Sequence, residues 1–291
     1  MIFTVLPVLL LPLAVGIFAG SFFVRKRKET GVLLFHRISS GSPLSLSQVS
    51  KKQFETFCRL LAESKKKTVL FSQFHSSKDE VCVCFDDGHK SVFELAFPIL
   101  KKFGFKATVF AAGGAGVGEK IKDCYSTANM MSAADLKELC ECGWEIASHG
   151  VGHLDLTLID DKTLKYELLR SKEILEEICQ KKTAALSFPY GSWNARVFEA
   201  AKACGYEKFT AYRKHKFCDS KTIFPSTAVY PFDDKKDLAR KISGEIGGLT
   251  LALSLLVPHF AKGTPIFFGS KSYEWKRLKM KETNEMSCVT H

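Results

Sequence analysis

The chain has 291 residues, 46% of them hydrophobic and 25% charged, with no low-complexity tract or internal repeat. That suits one domain of about 200–250 residues plus an appendage. The net charge of +11 sits partly in local runs such as 25–28 and 65–67. No motif or aromatic platform for nucleic acid accompanies it, so it reads as a lysine-rich solvated surface and nucleic acid is excluded as a partner. The ten cysteines are not needed as staples in a domain this large. Neither Cys82-x-Cys84 nor Cys140-x-Cys142 has zinc-knuckle spacing, so the cysteines read as buried thiols, in keeping with a reducing environment.

Residues 2–24 carry no charged side chain. At ~1.5 Å per residue a helix of that length crosses a hydrocarbon core of ~30 Å. A transmembrane anchor is therefore expected at 1–24, with Pro7 and Pro12 tolerable in it. A signal peptide cleaved near Ala19-Gly20-Ser21 is the alternative. A basic juxtamembrane segment at 25–30 follows, and by the positive-inside rule it places the main domain in the cytoplasm.

An apolar run from Gly31 ends at His36 and reads as a buried strand with its polar end in a site. Residues 39–50 are rich in Ser, Gly and Pro and read as loop. Phe54, Phe57, Leu60 and Leu61 lie at helical spacing over 52–64. Strands are predicted at 81–85, 106–112, 144–148 and 184–188. Helices are predicted at 91–103 (closed by Gly104), 132–143, 162–180 and 195–204 (capped by Asn194, closed by Gly205). Alternation of strands with helices is the pattern of a parallel α/β sheet or barrel, in which strand ends carry the chemistry. The polar motifs fall where predicted strands end, which favours a barrel at 31–240, followed by a C-terminal extension at 241–291.

Three motifs carry that chemistry. Asp86-Asp87 directly follows an apolar strand, so its two carboxylates point apart and can take different tasks, one holding a cation and one accepting a proton. A turn with an Asp-Gly stop is the alternative for the dipeptide alone. His149 and His153, also after a strand, can chelate one metal, or be two unrelated loop histidines. Pro189-Tyr190-Gly191 can present a backbone N–H to a reacting carbonyl, although alone it is only a turn.

In order, these segments resemble the NodB-type polysaccharide deacetylases, the family 4 carbohydrate esterases. The motif Thr-Phe-Asp-Asp-Gly appears as Cys84-Phe85-Asp86-Asp87-Gly88, His-Ser/Thr-x-x-His as His149-Gly150-Val151-Gly152-His153, and Arg-Pro-Pro-Tyr/Phe-Gly as Ser187-Phe188-Pro189-Tyr190-Gly191. The segments 97–100 and 104–110 are similar too, and the likeness extends over about 31 to 230. It implies a distorted (β/α) barrel that removes N-acetyl groups from a polysaccharide or glycan by metal-activated water. Asp87, His149 and His153 would be ligands of a divalent metal, usually zinc. Asp86 would be the general base and the Tyr190 N–H the oxyanion donor. Leu33-Leu34-Phe35-His36-Arg37-Ile38 resembles the Tyr-His-Arg-Ile opening of the family's permuted branch, which makes His36 the general acid; a strand-end histidine satisfied by backbone is the alternative.

The chain departs from the pattern in three places. Ser187 stands where the family has the Arg that orients the base, Gly150 replaces a hydroxyl residue, and no fourth or fifth motif is evident, the late His259 having a poor context. Pro189, Gly191 and Trp193 are assigned to substrate binding. Tyr125, Trp193 and Tyr230 could stack on sugar rings or pack in the core. Residues 113–118 read as a flexible glycine-rich loop near the cleft rather than a phosphate loop. The apolar stretch 247–260 is too short to span a bilayer; it reads as a buried helix or as lying against the membrane. Two other functions stay open: a deacylase of a lipid-linked sugar or O-acetyl esterase, and an inactive carbohydrate-binding relative. The family's usual substrates are extracytoplasmic, which opposes the charge rule, so the membrane side stays open.

Overall fold

The structure is a computed structural model describing residues 27–28, 31–41, 45–113, 120–122, 127–211 and 222–246. The expected anchor at 1–24, Tyr125, most of the glycine-rich loop, and the stretch 247–260 with His259 lie outside the described residues. Among the described residues, no helix is long and apolar enough to cross a membrane.

Seven parallel strands close into a barrel: β1 (Val32–Phe35), β2 (Glu80–Asp87), β3 (Thr108–Ala111), β4 (Glu145–Ser148), β5 (Ala185–Ser187), β6 (Lys208–Ala211) and β7 (Ile223–Ala228). They stand side by side in chain order, and β1 closes the ring by pairing with both β2 and β7. The five crossovers from β1 to β6 carry α1 (Lys51–Glu63), α2 (Phe97–Lys102), α3 (Ala133–Glu141), α4 (Asp161–Cys179) and α5 (Ala195–Ala203). A last helix, α6 (Lys235–Ser243), follows β7 and crosses the expected boundary at 240.

Alternation sorts the strand residues between two cores. Val32, Leu34, Cys82, Cys84, Phe110, Ala147, Ala185 and Phe224 cluster inside the barrel with Phe71 and Phe74. Leu33, Phe35, Val81, Val83, Phe85, Val109 and Ile146 face outward onto α1, α2, α3 and α6. A second outer cluster joins α4 and α5 to β5 and β6. The turn Phe71–Gln73 plugs the N-terminal end of the barrel. Its Phe71 N–H donates to Thr108 Oγ1 at 2.9 Å and Ser72 N–H to Glu145 Oε2 at 3.0 Å, while Lys208 Nζ donates to Phe74 O at 3.0 Å. All three partners begin strands, so only the C-terminal end is left for a site.

Local sequence explains the helix ends. Ser50, Ser132 and Asn194 cap α1, α3 and α5, and Ser132 with Asp135 forms a reciprocal capping box. The helix predicted at 91–103 instead begins as a π-turn, Val92–Ala96, with Phe97 N–H donating to Val92 O. Pro98 has no N–H to give to the preceding turn, so the regular ladder starts only at that point. The loop predicted at 39–50 contains a short parallel pairing of Arg37–Ser39 with Gln48–Ser50. Strands β6 and β7 and helix α6 went unread. β6 is four residues long and includes Lys and Thr, but the Asp234-x-x-Asp237 capping box and Gly244 do mark α6.

The reading of the cysteines as thiols needs one correction. Cys140 at the end of α3 and Cys179 at the end of α4 form a disulfide, with Cα atoms 5.9 Å apart. Spacing along the chain hides this pair because the two helices meet only in the fold. The bridge closes a loop of separation 39, for which reduction should cost about 2–4 kcal/mol. Urea unfolding with and without reductant should therefore show a lower midpoint for the reduced protein; coincident curves would mean the bridge does not constrain the chain.

Candidate active site

On four of the strands the inward-facing position at the C-terminal end is polar. Along β1 the inward series Val32, Leu34 continues to His36. Along β2, Cys82 and Cys84 lead to Asp86, along β4 Ala147 leads to His149, and along β5 Ala185 leads to Ser187. Pairing of Phe35 with Phe85 brings His36 level with Asp86 across 50 positions of sequence.

Asp86 is buried, and Ser187 Oγ donates to its Oδ2 at 3.1 Å. Its Oδ1 is buried with no hydrogen-bond partner, a cost accepted where a carboxylate must stay reactive. Burial pushes the Asp86 carboxyl above its ordinary range, and Asp87 adds to this; the charges of His149 and His36 and the Ser187 hydroxyl pull the other way. A desolvated carboxylate of this kind is a stronger base than an exposed one.

Asp87 diverges from its neighbour because β2 ends there with a left-handed backbone, φ 71°. Its Oδ1 lies 3.5 Å from His149 Nε2 and 3.2 Å from His153 Nε2. Burial alone would raise this carboxyl, but hydrogen bonds from His149, His153 and His89 outweigh it and hold Asp87 well below its ordinary range. His149 Nδ1–H donates to the Ser187 carbonyl at 2.8 Å, which fixes the ring with Nε2 turned toward Asp87. Burial opposes a charge on His149, yet Asp86 and Asp87 together raise its pKa. The His153 ring packs on those of His149 and Tyr190, with centroids 4.9 and 4.6 Å away.

Three of the six non-glycine residues with positive φ among the described residues are Asp87, His153 and Tyr190. Such backbone strain concentrates at functional sites. The left-handed Tyr190, φ 58°, turns the chain after β5 so that its ring covers His153. Pro189 is buried in the same turn, and Gly191 N–H closes it onto Phe188 O at 2.9 Å. Trp193 lies elsewhere: 9% exposed, it stacks on Phe188 at 5.7 Å within the outer core. Tyr230 is likewise buried, stacked on the more exposed Phe232.

The donor set fits a divalent cation. Asp87, His149 and His153 offer three ligand atoms all within 4.8 Å of one another, two imidazole nitrogens and one carboxylate oxygen. That is the composition of an open tetrahedral site, and the second nitrogen of His149 is already committed to a carbonyl.

Sequence reasoning missed three supporting residues. His89 Nε2 lies 3.1 Å from Asp87 Oδ2, on the side away from the other imidazoles. Buried Arg37, next to His36, has its Nε 2.9 Å from the same ring nitrogen, and burial lowers the ring's pKa. Glu167 of α4 holds the loop between His149 and His153. Arg37 lies within the His36-Arg37-Ile38 motif already singled out and His89 directly follows Gly88, so these two had a readable signal and Glu167 had none.

Residues 75–209 match the polysaccharide deacetylase family. This segment, which carries Asp86, Asp87, His149, His153 and Ser187, is what the chain shares with that family. Bacillus subtilis YxkH, whose name refers to the same family, is 29% identical over 190 residues, covering 62% of this chain and 64% of its own length. The poly-beta-1,6-N-acetyl-D-glucosamine N-deacetylase of Staphylococcus aureus strain MSSA476 is 28% identical over 183 residues, 57% of this chain and 62% of that enzyme. The chain thus spans less than two thirds of these curated relatives. The fold matches that of Streptococcus pyogenes deacetylase PplD, with TM-score 0.63, 21% identity, and coverage of 74% of this chain and 99% of that one. It also matches IcaB from Ammonifex degensii, with TM-score 0.61, 22% identity, and coverage of 73% and 96%.

The coupling between His149 and the two carboxylates is measurable in metal-free protein. Imidazole nitrogen NMR should find His149 keeping its proton above the ordinary imidazole range, and Asp86→Asn should lower its pKa by removing a negative charge. A His149 pKa insensitive to Asp86→Asn would contradict this geometry.

Proposed function

We propose that this deacetylase-family domain hydrolyses N-acetyl groups of a polysaccharide or glycan of the N-acetylglucosamine type and depends on a divalent metal, zinc by preference. The observation that carries the reading is the convergence of Asp87, His149 and His153 beside a separate buried carboxylate, Asp86. The family match and the N-deacetylase named among the relatives support the substrate class. An inactive relative would have little reason to keep a strained, partly unsatisfied site with every reactive group in place.

Asp87, His149 and His153 would hold the cation. When bound, it supplies Lewis acidity toward the acetyl carbonyl and makes water more acidic. Asp86, set beside that group and held by Ser187, takes the proton of the attacking water as the new C–O bond forms. The Tyr190 backbone N–H, on the turn that covers His153, donates to the carbonyl oxygen as it gains negative charge. His36, level with Asp86 on the neighbouring strand, gives its proton to the sugar nitrogen as the C–N bond breaks, releasing acetate and a free amine. This role for His36 follows the permuted branch of the family. Pro189 and Gly191 shape the turn beneath the substrate, whereas Trp193 supports it from the core.

On the same reading residues 1–24 anchor the domain to a membrane and the barrel faces an extracytoplasmic polymer. The Cys140–Cys179 bridge supports an oxidising compartment against the charge rule at 25–30. Alkylation of intact cells followed by mass spectrometry should find this pair blocked until a reductant is added; free thiols at both positions would favour the cytoplasmic side.

Acetate release from N-acetylglucosamine oligomers, measured alongside zinc content, tests the chemistry. Asp86→Asn and His36→Ala should each lose about 10²–10⁴-fold in turnover while keeping their zinc. Unchanged turnover in Asp86→Asn would overturn the mechanism, and loss of zinc in His36→Ala would make that residue a ligand rather than the acid. Zinc affinity should fall as pH drops, because His149 retains its proton above the ordinary imidazole range and protons compete for Nε2.

A further inference from the structure

We propose that Glu167 is a positioning residue that fixes the loop between the two site imidazoles and thereby sets the geometry of the three-ligand group; the second half of this statement rests on reading that group as a cation site. Glu167 lies on the inner face of α4 and is fully buried. Its Oε2 accepts the Val151 N–H at 2.8 Å and the Gly152 N–H at 2.9 Å, and Oε1 lies 3.1 Å from the same Gly152 nitrogen. Residues 150–152 are the whole backbone between His149 and His153, so one carboxylate spans the link between two ligands.

The two glycines of the motif make room for it. A Cβ at Gly150 would stand 2.9 Å from Glu167 Oε2, and one at Gly152 would stand 3.1 Å from Oε1. Gly150 also has φ 78°, a backbone that side chains rarely adopt. This accounts for the absent hydroxyl residue at position 150: the polar group that steadies the loop comes from α4 instead. Ser171, one turn further along α4, lies on the same face, with its Oγ 2.8 Å from Ser148 Oγ. Ser148 Oγ in turn accepts the Gly150 N–H at 3.2 Å. The helix therefore grips the strand end and the loop at consecutive points, on both sides of His149.

An ionised carboxylate accepts at both oxygens with charge-assisted bonds, whereas an amide of equal volume has one weaker acceptor to stand in for Oε2 and puts an NH2 donor against the Gly152 N–H in place of Oε1. Left-handed His153, φ 52°, then leaves the loop aimed at Asp87 Oδ1.

The test uses the full chain with Glu167→Gln and Glu167→Ala. In metal-free protein the Val151 and Gly152 amides should exchange at least about tenfold faster than in the wild type. Exchange in α3 and the rest of α4 should stay unchanged. Zinc alone, titrated against a chromophoric chelator, should bind about 10–100-fold more weakly. The proposal is overturned if Glu167→Gln behaves as the wild type in exchange, if exchange rises throughout α4 (the mark of a residue that only packs), or if zinc affinity is unchanged. A wild-type protein that binds no zinc would defeat the cation reading alone, and the exchange rates would still decide the role of Glu167 in the loop.

Discussion

Closure of the barrel by β1 governs the rest of the site. Because β1 pairs in parallel with β2 on one side and β7 on the other, the first strand of the domain becomes a neighbour of the strand carrying both aspartates. Parallel pairing keeps every strand's C-terminal end at one mouth, and alternation points every second side chain inward. Apolar residues fill the lower layers, and Phe71 and Phe74 seal the opposite end. The polar residues that follow those inward positions can only meet at the open mouth. Strand pairing therefore brings His36, Asp86, His149 and Ser187 together, and the bonds from Ser187 to Asp86 and His149 add to it.

Within that mouth, charge is arranged economically. Two adjacent carboxylates would ordinarily resist ionising together. Here the left-handed turn at Asp87 separates them: Asp87 is surrounded by three imidazoles, while Asp86 has one hydroxyl and an unmatched oxygen. Their carboxyls are pushed in opposite directions, down for Asp87 and up for Asp86, which suits a ligand and a base respectively. Ser187 makes two bonds in the site. Its hydroxyl donates to Asp86 and its carbonyl fixes the ring orientation of His149. Buried Arg37, two residues past the end of β1, brings a positive charge to the far side of Asp87 through His89.

The barrel and the centre were legible in the sequence where local signals agree with the fold. Val81 to Phe85 ends in two aspartates, Trp144 to Ser148 ends in a histidine, and glycines or capping residues mark most helix ends. What stayed hidden depends on contacts across the chain. The Cys140–Cys179 bridge needs two helices to meet, and the approach of Glu167 to the His149–His153 loop needs α4 to lie against β4. Trp193 shows the limit of residue type as a guide: an aromatic beside the third motif reads equally as a sugar platform or as core, and packing against Phe188 places its ring in the core. Strands β6 and β7 were missed because short buried strands carry no periodicity of their own; neighbours on both sides define them.

The central claim is a division of labour: Asp87, His149 and His153 hold a cation while His36, His89 and Asp86 stay outside its coordination shell. X-ray absorption at the zinc edge of the reconstituted protein measures this directly. The account predicts two imidazoles with Zn–N at about 2.0–2.1 Å, the remaining ligands being oxygen at about 2.0–2.2 Å. A third imidazole, or any sulfur in the shell, would contradict it.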